Sequence, residues 1–234
     1  MTTSVIGSVD AHSLAVSRGL TRVFGMMFLG LLVSAAASML TLRSERMLEL
    51  VFLDPMFRHV FRFAPLAFVF ALGFVWKMSP MVALSLFLGY ATVTGISLTS
   101  IFLAFDHDTI ALAFFSAAGM FGVMAIFGKV TKKDLSRLGP LLFMALIGLI
   151  VATVINIFMR SSFLDAILAY ATVVIFLGFT AHDVQKIKKQ VEAVMDSNGN
   201  VPMAVSISGA LHLYLDFINL FMAMLRILAR RRGR

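Results

Sequence analysis

The sequence predicts an all-α, polytopic membrane protein, and three observations support this fold class. Of the 234 residues, 60% are hydrophobic and only 14% are charged, whereas a soluble domain is about half apolar and a quarter charged. The uncharged residues fall in runs of about 20, the length that an α-helix needs to cross a bilayer. Only helices satisfy their own backbone hydrogen bonds across lipid at this span length.

The chain is predicted to form one transmembrane domain with short polar ends. Residues 1–19 are of mixed polarity and are expected to be a cytoplasmic segment. Residues 20–229 form the predicted transmembrane domain, and residues 230–234 a basic tail. The first apolar run, Val23–Leu42, has 20 residues. It is therefore predicted to be a retained membrane span rather than a cleaved signal peptide.

The second predicted span is short. Phe63–Trp76 contains 14 uncharged residues, fewer than a bilayer crossing normally needs. The run reaches a sufficient length if it starts at Val60 and if the side chains of Arg58 and Arg62 extend to the interface. The span is accordingly placed at residues 60–76.

Five further spans complete a set of seven. Pro80 is expected at the start of the third helix, and Asp108 is predicted to be the N-cap of the fourth. Small residues that permit close helix approach occur as the pairs Ser34 and Ser38, and Ala113 and Ala117. The five spans are predicted at Met78–Phe105, Thr109–Gly128, Leu138–Met159, 161–181 and Met203–Leu228.

The distribution of Lys and Arg gives an expected orientation. With a cytoplasmic N-terminus and a last segment that crosses fully, each side of the membrane carries 10 cations. If the last segment re-enters without crossing, the inner side carries 15 cations and the outer side 5. Because cytoplasmic loops carry an excess of cations, this count favours an N-terminus and a C-terminus that are both inside.

Several function classes are disfavoured by what the sequence lacks. It contains no cysteine, which excludes disulfides, thiolate metal sites and a cysteine nucleophile. No zinc-protease, nucleophile-elbow or phosphate-loop motif is present, and no residue marks Ser97 or Ser116 as a protease partner of His212. The net charge of +8 is explained by loop cations, since no basic helix stands clear of the spans. We therefore expect no enzyme activity, no cofactor and no nucleic-acid partner.

The last span carries a polar stripe. Residues on this stripe recur at spacings of three and four, which places them on one face of a helix; they are Gly209, His212, Asp216, Asn219, Ala223 and Arg226. The opposite face is apolar and contains Leu211, Leu215, Ile218 and Met222. A charged group within the bilayer is costly, so the stripe is expected to face the bundle interior or a water path. A buried polar network that only fixes helix packing is the alternative.

A second acidic residue, Asp183, ends the sixth predicted span. By itself it could be an interfacial residue that pairs with Lys186. However, the last two spans can pack as neighbours, which would bring Asp183 and Asp216 together. Two carboxylates in a site of low dielectric constant cannot both ionise easily, so the pair would hold a shared proton. His182 and His212 are close in sequence to these residues and are either tuning groups or packing histidines.

Several motifs resemble the Bax inhibitor-1 (lifeguard) family and its bacterial inner-membrane members. The segment Leu213–Phe221, followed by Leu225-Arg226-Ile227, is similar to the C-terminal signature of that family. Gly178–Lys186 is similar to its motif at the end of the sixth helix. The resemblance extends from about residue 18 to the end and includes the weaker matches Thr94–Phe102, Ala118–Gly122 and Thr131–Leu135.

The resemblance implies a seven-helix bundle in which six helices surround the C-terminal one. It also implies a calcium leak that is gated by a paired-aspartate pH sensor, and the two aspartates match Asp183 and Asp216. Transient contact of calcium with this pair is expected. The polar stripe and the neighbour of Asp183 supply the residues expected to line or tune the path, namely His182, His212, Asn219 and Arg226; of these, His212 is not part of the family pattern. Two positions depart from the family pattern, because His182 replaces a tyrosine and Val184 replaces a threonine.

The leading functional hypothesis is thus a pH-sensitive calcium leak channel in the bacterial inner membrane. Its expected partners are the calcium ion and the lipid bilayer. The alternative is a membrane interaction protein that modulates a membrane protease or a stress response through residues 1–19. A proton-coupled transporter is a third interpretation, but the sequence shows no clear internal repeat. Asp106 and Asp108 could attract cations at the outer mouth, or serve as a solvated loop and a helix cap.

Overall fold

The computed structural model describes residues 2–54, 79–195 and 200–232, and all regular secondary structure within these ranges is helical. The predicted all-α class is confirmed. A short helix and a single turn of π-helix, Glu49–Leu53, follow the first long helix. The α-helices are α1 (Thr2–Leu42), α2 (Glu45–Leu48), α3 (Pro80–Ala104), α4 (His107–Val130), α5 (Leu138–Met159), α6 (Ser162–Val194) and α7 (Met203–Arg232).

Six of these helices are long and apolar enough to cross a membrane, namely α1 and α3 to α7. The prediction for α5, Leu138–Met159, matches the structure at both ends. The predicted second span at residues 60–76 lies outside the described residues. In the most apolar stretch of α7, 56% of the residues are buried. In the corresponding stretches of the other five helices, at most 33% are buried. This burial is expected for a C-terminal helix that is enclosed by other helices.

The helices divide into two compact units along the chain. The first unit comprises Met1–Ala104 and Lys189–Tyr214, and the second comprises Phe105–Lys188 and Leu215–Arg234. The long helices α6 and α7 each contribute to both units.

In the first unit, α1 and α3 approach each other closely through small residues. The backbone of Ser34 lies directly against Gly95, where any side chain would overlap it. The Ser34 hydroxyl is 2.7 Å from the Ala91 carbonyl oxygen and 2.7 Å from the Tyr214 hydroxyl. Ser38 is bonded to Thr99 in the same contact, with their hydroxyls 3.2 Å apart. The predicted role of Ser34 and Ser38 in close packing is thus observed.

In the second unit, α4 contacts both α6 and α7. Gly128 lies against the backbone of Ala181, so the two helices meet with no side chain between them. Two and four turns earlier on the same face of α4, Phe121 and Phe114 contact the ring of Phe217, with centroid distances of 5.7 and 5.4 Å. These contacts position the middle of α6 and of α7 within the same unit.

Several predicted helix starts and ends differ from the structure, and two of the differences have a clear physical reason. The N-cap of α4 is Asp106 rather than Asp108: Asp106 has an extended backbone, and its Oδ1 accepts a bond of 2.9 Å from the Thr109 amide. Asp108 instead lies in the first helical turn, where its negative charge is favourable. The helix α6 continues to Val194, well beyond the predicted end at residue 181, because polarity ended the apolar run without ending the helix.

The C-terminal helix α7 is long and apolar enough for a full crossing, whereas the cation count favoured a segment that re-enters. Arg230 Nη2 lies 2.9 Å from Asp165 Oδ2, close to the first residue of α6. The turn of α6 around Gln185, which bonds to the α4–α5 loop, lies 20 residues further along, or about 30 Å at 1.5 Å per residue. Arg230 and that loop are therefore at opposite ends of α6. If α7 crosses fully, the cation count is 10 on each side, and an orientation is indicated only when the five cations of its C-terminal end are left out.

This topology can be tested by cysteine labelling, since the chain has no cysteine of its own. We expect Ser162→Cys and Arg232→Cys to react from the same side of intact cells with a membrane-impermeant maleimide. Ser136→Cys, in the α4–α5 loop, is expected to react from the opposite side. If the other two variants react in intact cells, Ser136→Cys should react only after permeabilisation; if Ser136→Cys reacts in intact cells, the other two should require permeabilisation. Labelling of Ser136→Cys and Arg232→Cys from one side would show that α7 does not cross.

Candidate functional site

The first residue of the candidate site, Asp183, lies within α6 and is only 6% exposed. Its position follows from the close contact of α4 with α6 at Gly128 and Ala181, two residues before Asp183. The neighbouring Val184 is fully buried. Asp183 is therefore inside the second unit, with three further turns of helix after it.

The second residue, Asp216, lies on α7 and is 4% exposed. Its Oδ2 is buried and has no hydrogen-bond partner among the described residues. The Asp183 carboxyl is close enough to Asp216 to interact with it electrostatically. The following residue, Phe217, lies between the rings of Phe114 and Phe121. The structure thus places two acidic groups near each other in surroundings that are largely apolar.

His182 is in direct contact with the pair. Its Nδ1 lies 2.7 Å from Asp183 Oδ1, and its side chain is 13% exposed. The ring fits against Gly139 of α5, where a Cβ atom would lie 2.8 Å from Nε2. A glycine at this position therefore provides the space that the imidazole occupies. His182 is thus a hydrogen-bonding neighbour of the Asp183 carboxyl.

The other residues of the predicted polar stripe are less buried than Asp216, apart from Gly209 and Ala223. His212 is half-buried, and its Nδ1 lies 2.7 Å from the Ser208 carbonyl oxygen. The amide of Asn219 donates a bond of 2.8 Å to the Leu215 carbonyl oxygen. Both side chains therefore bond to their own helix. Arg226 is exposed.

The apolar face of α7 is covered as well. Leu211 is buried, and Leu215, Ile218 and Met222 are half-buried. The helix therefore has no wholly exposed apolar side, and its hydrophobic periodicity does not separate a lipid-facing side from an interior side. This explains why α7 is the most buried of the six candidate spans.

Gln185 is a structural member of the site that the sequence did not single out. It is 7% exposed. Its Oε1 accepts a bond of 2.8 Å from the Leu135 amide, and its Nε2 donates a bond of 2.8 Å to the Lys133 carbonyl oxygen. These two bonds connect the turn of α6 that carries Asp183 to the α4–α5 loop. The only signal in the sequence was its position two residues after Asp183.

The arrangement is suited to binding a proton or to contacting a cation briefly. Two carboxyl groups supply at most four oxygen atoms, whereas a stably bound calcium ion takes 6–8 oxygen ligands. Among the described residues, no group of three or more His, Asp or Glu side chains could hold a metal ion. A calcium ion at Asp183 and Asp216 would therefore be a transient substrate rather than a resident cofactor.

Comparison with known proteins agrees with these motifs. Residues 16–233 match the model of the family described as inhibitor of apoptosis-promoting Bax1. The inner membrane protein YbhL of Escherichia coli strain K12 is 40% identical over 214 residues, which cover 91% of this chain and 92% of YbhL. A protein of Borreliella burgdorferi is 37% identical, with 92% of each chain covered.

A protein of Rickettsia prowazekii is 38% identical over 217 residues, which cover 92% of this chain and 90% of that protein. These matches extend over nearly all of each chain, and the family match over residues 16–233 includes both aspartate-bearing segments of α6 and α7. The chain therefore belongs to the Bax inhibitor-1 family, as its motifs around Asp183 and Asp216 indicate.

Proposed function

We propose that this protein is a pH-sensitive cation leak channel that conducts calcium and is gated by Asp183 and Asp216. The observation that supports the proposal most directly is the burial of both carboxyl groups within electrostatic range of each other. An acidic group within a membrane span is costly and is retained by default for a function. Family membership supports a membrane function, and the gating role that the resemblance implies is supported by the burial of the two aspartates.

The closed state is stabilised when the pair holds a proton. A neutral carboxyl beside a carboxylate avoids the repulsion of two negative charges in a site of low dielectric constant. It also avoids the large cost of a second buried charge beside the first. Since Asp216 Oδ2 lacks a hydrogen-bond partner among the described residues, the protein itself offers it no donor that would stabilise a second charge.

The open state follows from loss of that proton. When the pH rises, the shared proton leaves, two like charges face each other, and the contact between α6 and α7 at this level becomes unfavourable. Separation of the helices would admit water and allow cations to reach the carboxylates. The proton is bound in the closed state and released in the open state, so flux is expected to increase with pH.

We further propose a location in the bacterial inner membrane with a cytoplasmic N-terminus. The relative YbhL is named an inner membrane protein, and six helices of this chain are suited to spanning. The rule that cations lie on the cytoplasmic side applies to helices inserted against lipid. Because α7 is shielded from lipid along much of its length, the cations at its end are the least reliable guide to orientation. Without that end, the count is 10 cations against 5 in favour of an N-terminus inside.

The proposal is tested by calcium flux into proteoliposomes that contain the purified protein and an internal calcium indicator. We expect influx above that of empty liposomes, with a rate that increases as the external and internal pH are raised together. Matching the two values removes any contribution from a proton gradient. Flux that is absent, or that is the same at every pH, would contradict the proposal.

The alternative interaction function makes a different prediction. Removing residues 2–12 leaves the buried residues Ala15 and Val16 of α1 in place. A channel is expected to keep its flux after this deletion. Loss of a protease or stress-response partner from affinity purification, in a protein that conducts no calcium, would favour the alternative.

A further inference from the structure

The α4–α5 loop, residues 131–137, is attached to α6 by several hydrogen bonds. Gln185 makes two of them, to the Leu135 amide and to the Lys133 carbonyl oxygen, each 2.8 Å long. Lys188 Nζ donates a further bond, of 3.3 Å, to the carbonyl oxygen of Lys129 at the end of α4, just before the loop. Leu135 is 7% exposed and anchors the loop on its inner side. The loop is thus held in a fixed position beside α6.

This attachment gathers cations from three elements into one surface, here called the basic face. One cation lies at the end of α4, three lie in the loop and two lie on α6. They are Lys129, then Lys132, Lys133 and Arg137, and finally Lys186 and Lys188. All are exposed except Lys188, which is half-buried. Within 129–137 the only acidic residue is Asp134, whose carboxylate accepts a bond from the Ser136 amide. The face therefore carries a large excess of positive charge.

The basic face adjoins an uncovered apolar surface. α5 begins at Leu138, immediately after the loop, and none of its residues is buried. Leu141 is 61% exposed and Met144 is 69% exposed, one and two turns into the helix. Because the loop joins two candidate membrane spans, it lies at the level of the lipid headgroups. The cations at that level match the phosphate headgroup of a phospholipid, and the exposed apolar surface of α5 next to them matches its acyl chains.

We propose that the basic face and the adjoining surface of α5 bind an anionic phospholipid. The phosphate headgroup contacts the cations of the loop and of α6, and the acyl chains lie along α5 beside Leu141 and Met144. Charge complementarity favours an anionic over a zwitterionic lipid, since juxtamembrane cations attract anionic headgroups. An acidic protein segment could satisfy the charges but would leave the apolar surface of α5 uncovered. The lipid site does not depend on calcium conduction.

The proposal is tested by native mass spectrometry of the whole protein in detergent. The probes are phosphatidylglycerol and phosphatidylcholine with identical acyl chains, supplied in equal amounts, and the measured quantity is the ratio of the two lipids bound. We expect the wild-type protein to retain phosphatidylglycerol preferentially. The double variant Lys132→Gln, Lys133→Gln is expected to reduce that preference roughly tenfold.

Two further variants separate an organised site from general attraction by positive charge. Arg43→Gln with Arg46→Gln removes the same number of exposed cations from the region after α1 and is expected to leave the preference unchanged. Gln185→Met keeps every charge and the side-chain length but removes both bonds to the loop. We expect it to reduce the preference several-fold, because the loop cations are no longer held beside α6.

Each outcome supports or overturns the lipid site. A wild-type protein that retains both lipids equally overturns it and would favour an acidic protein segment as the partner of the basic face. Equal losses in the loop variant and the Arg43 and Arg46 variant would show that only total charge matters. The site is supported if the preference for phosphatidylglycerol is lost in the loop variant and in Gln185→Met but is kept in the Arg43 and Arg46 variant. This result does not depend on whether the protein conducts calcium.

Discussion

Asp216→Asn is expected to give calcium flux that stays low at every pH, whereas wild-type flux increases as the pH is raised. Asparagine is close to a protonated aspartate in size and is always neutral. The repulsion that we infer to separate α6 from α7 therefore cannot develop when its partner Asp183 ionises. Flux into proteoliposomes over a pH series, compared at equal protein content, measures the effect.

The control and the contrary result are well defined. Asp183→Asn should behave like Asp216→Asn, because either change leaves one ionisable carboxyl at the pair. Asp134→Asn removes an exposed carboxylate from the α4–α5 loop and should keep the wild-type pH dependence. If Asp216→Asn conducts with the pH dependence of the wild-type protein, Asp216 is not part of a proton sensor.

Gly128→Ala is expected to destabilise the protein strongly. A Cβ atom on Gly128 would overlap the backbone of Ala181, and a backbone cannot move aside as a flexible side chain can. Forced overpacking of this kind costs about 3 kcal/mol, which corresponds to a decrease of roughly 5–10 °C in the midpoint of thermal unfolding. Fluorescence-detected size-exclusion chromatography after heating in detergent measures that midpoint.

Gly122→Ala is the matched control on the same helix. No atom lies within 4 Å of the Cβ position of Gly122, and alanine is the better helix former. We expect its unfolding midpoint to equal or exceed that of the wild-type protein. Equal midpoints for Gly128→Ala and the wild-type protein would show that α4 and α6 are not in the close contact described.

Much of the helical architecture could be predicted because charge and apolar length define membrane spans. α5 was predicted to the residue, since Arg137 and Arg160 bracket a continuous apolar run. The end of α6 was missed because helix propensity persists through polar residues after the apolar run stops. The position of the C-terminal end of α7 beside the start of α6 could not be predicted, because a charge count does not show which helix a cation contacts. That position depends on the bond from Arg230 to Asp165, which is not encoded in any local pattern.

The candidate site was predictable only in part. Acidic residues inside apolar segments are conspicuous because their burial is costly, which is why Asp183 and Asp216 could be selected. Gln185 could not be selected, since a neutral amide is common and its role depends on a loop about 50 residues away in sequence. Helical periodicity predicts that Arg226 shares a face with Asp216. Periodicity does not show where along a helix the burial ends, and Arg226 is in fact exposed.

The bond between Asp165 and Arg230 has a mechanical consequence for α6 and α7. Asp165 and Asp183 are 18 residues apart on α6, or about 27 Å at 1.5 Å per residue. Because the two helices are connected near Asp165, they would separate near Asp183 by tilting relative to each other rather than by sliding. Over that length, a tilt of about 10° would part the carboxyl groups by nearly 5 Å, so a scissor-like motion of modest angle suffices to open this level of the helix pair. Spin labels placed on the two helices would resolve that angle.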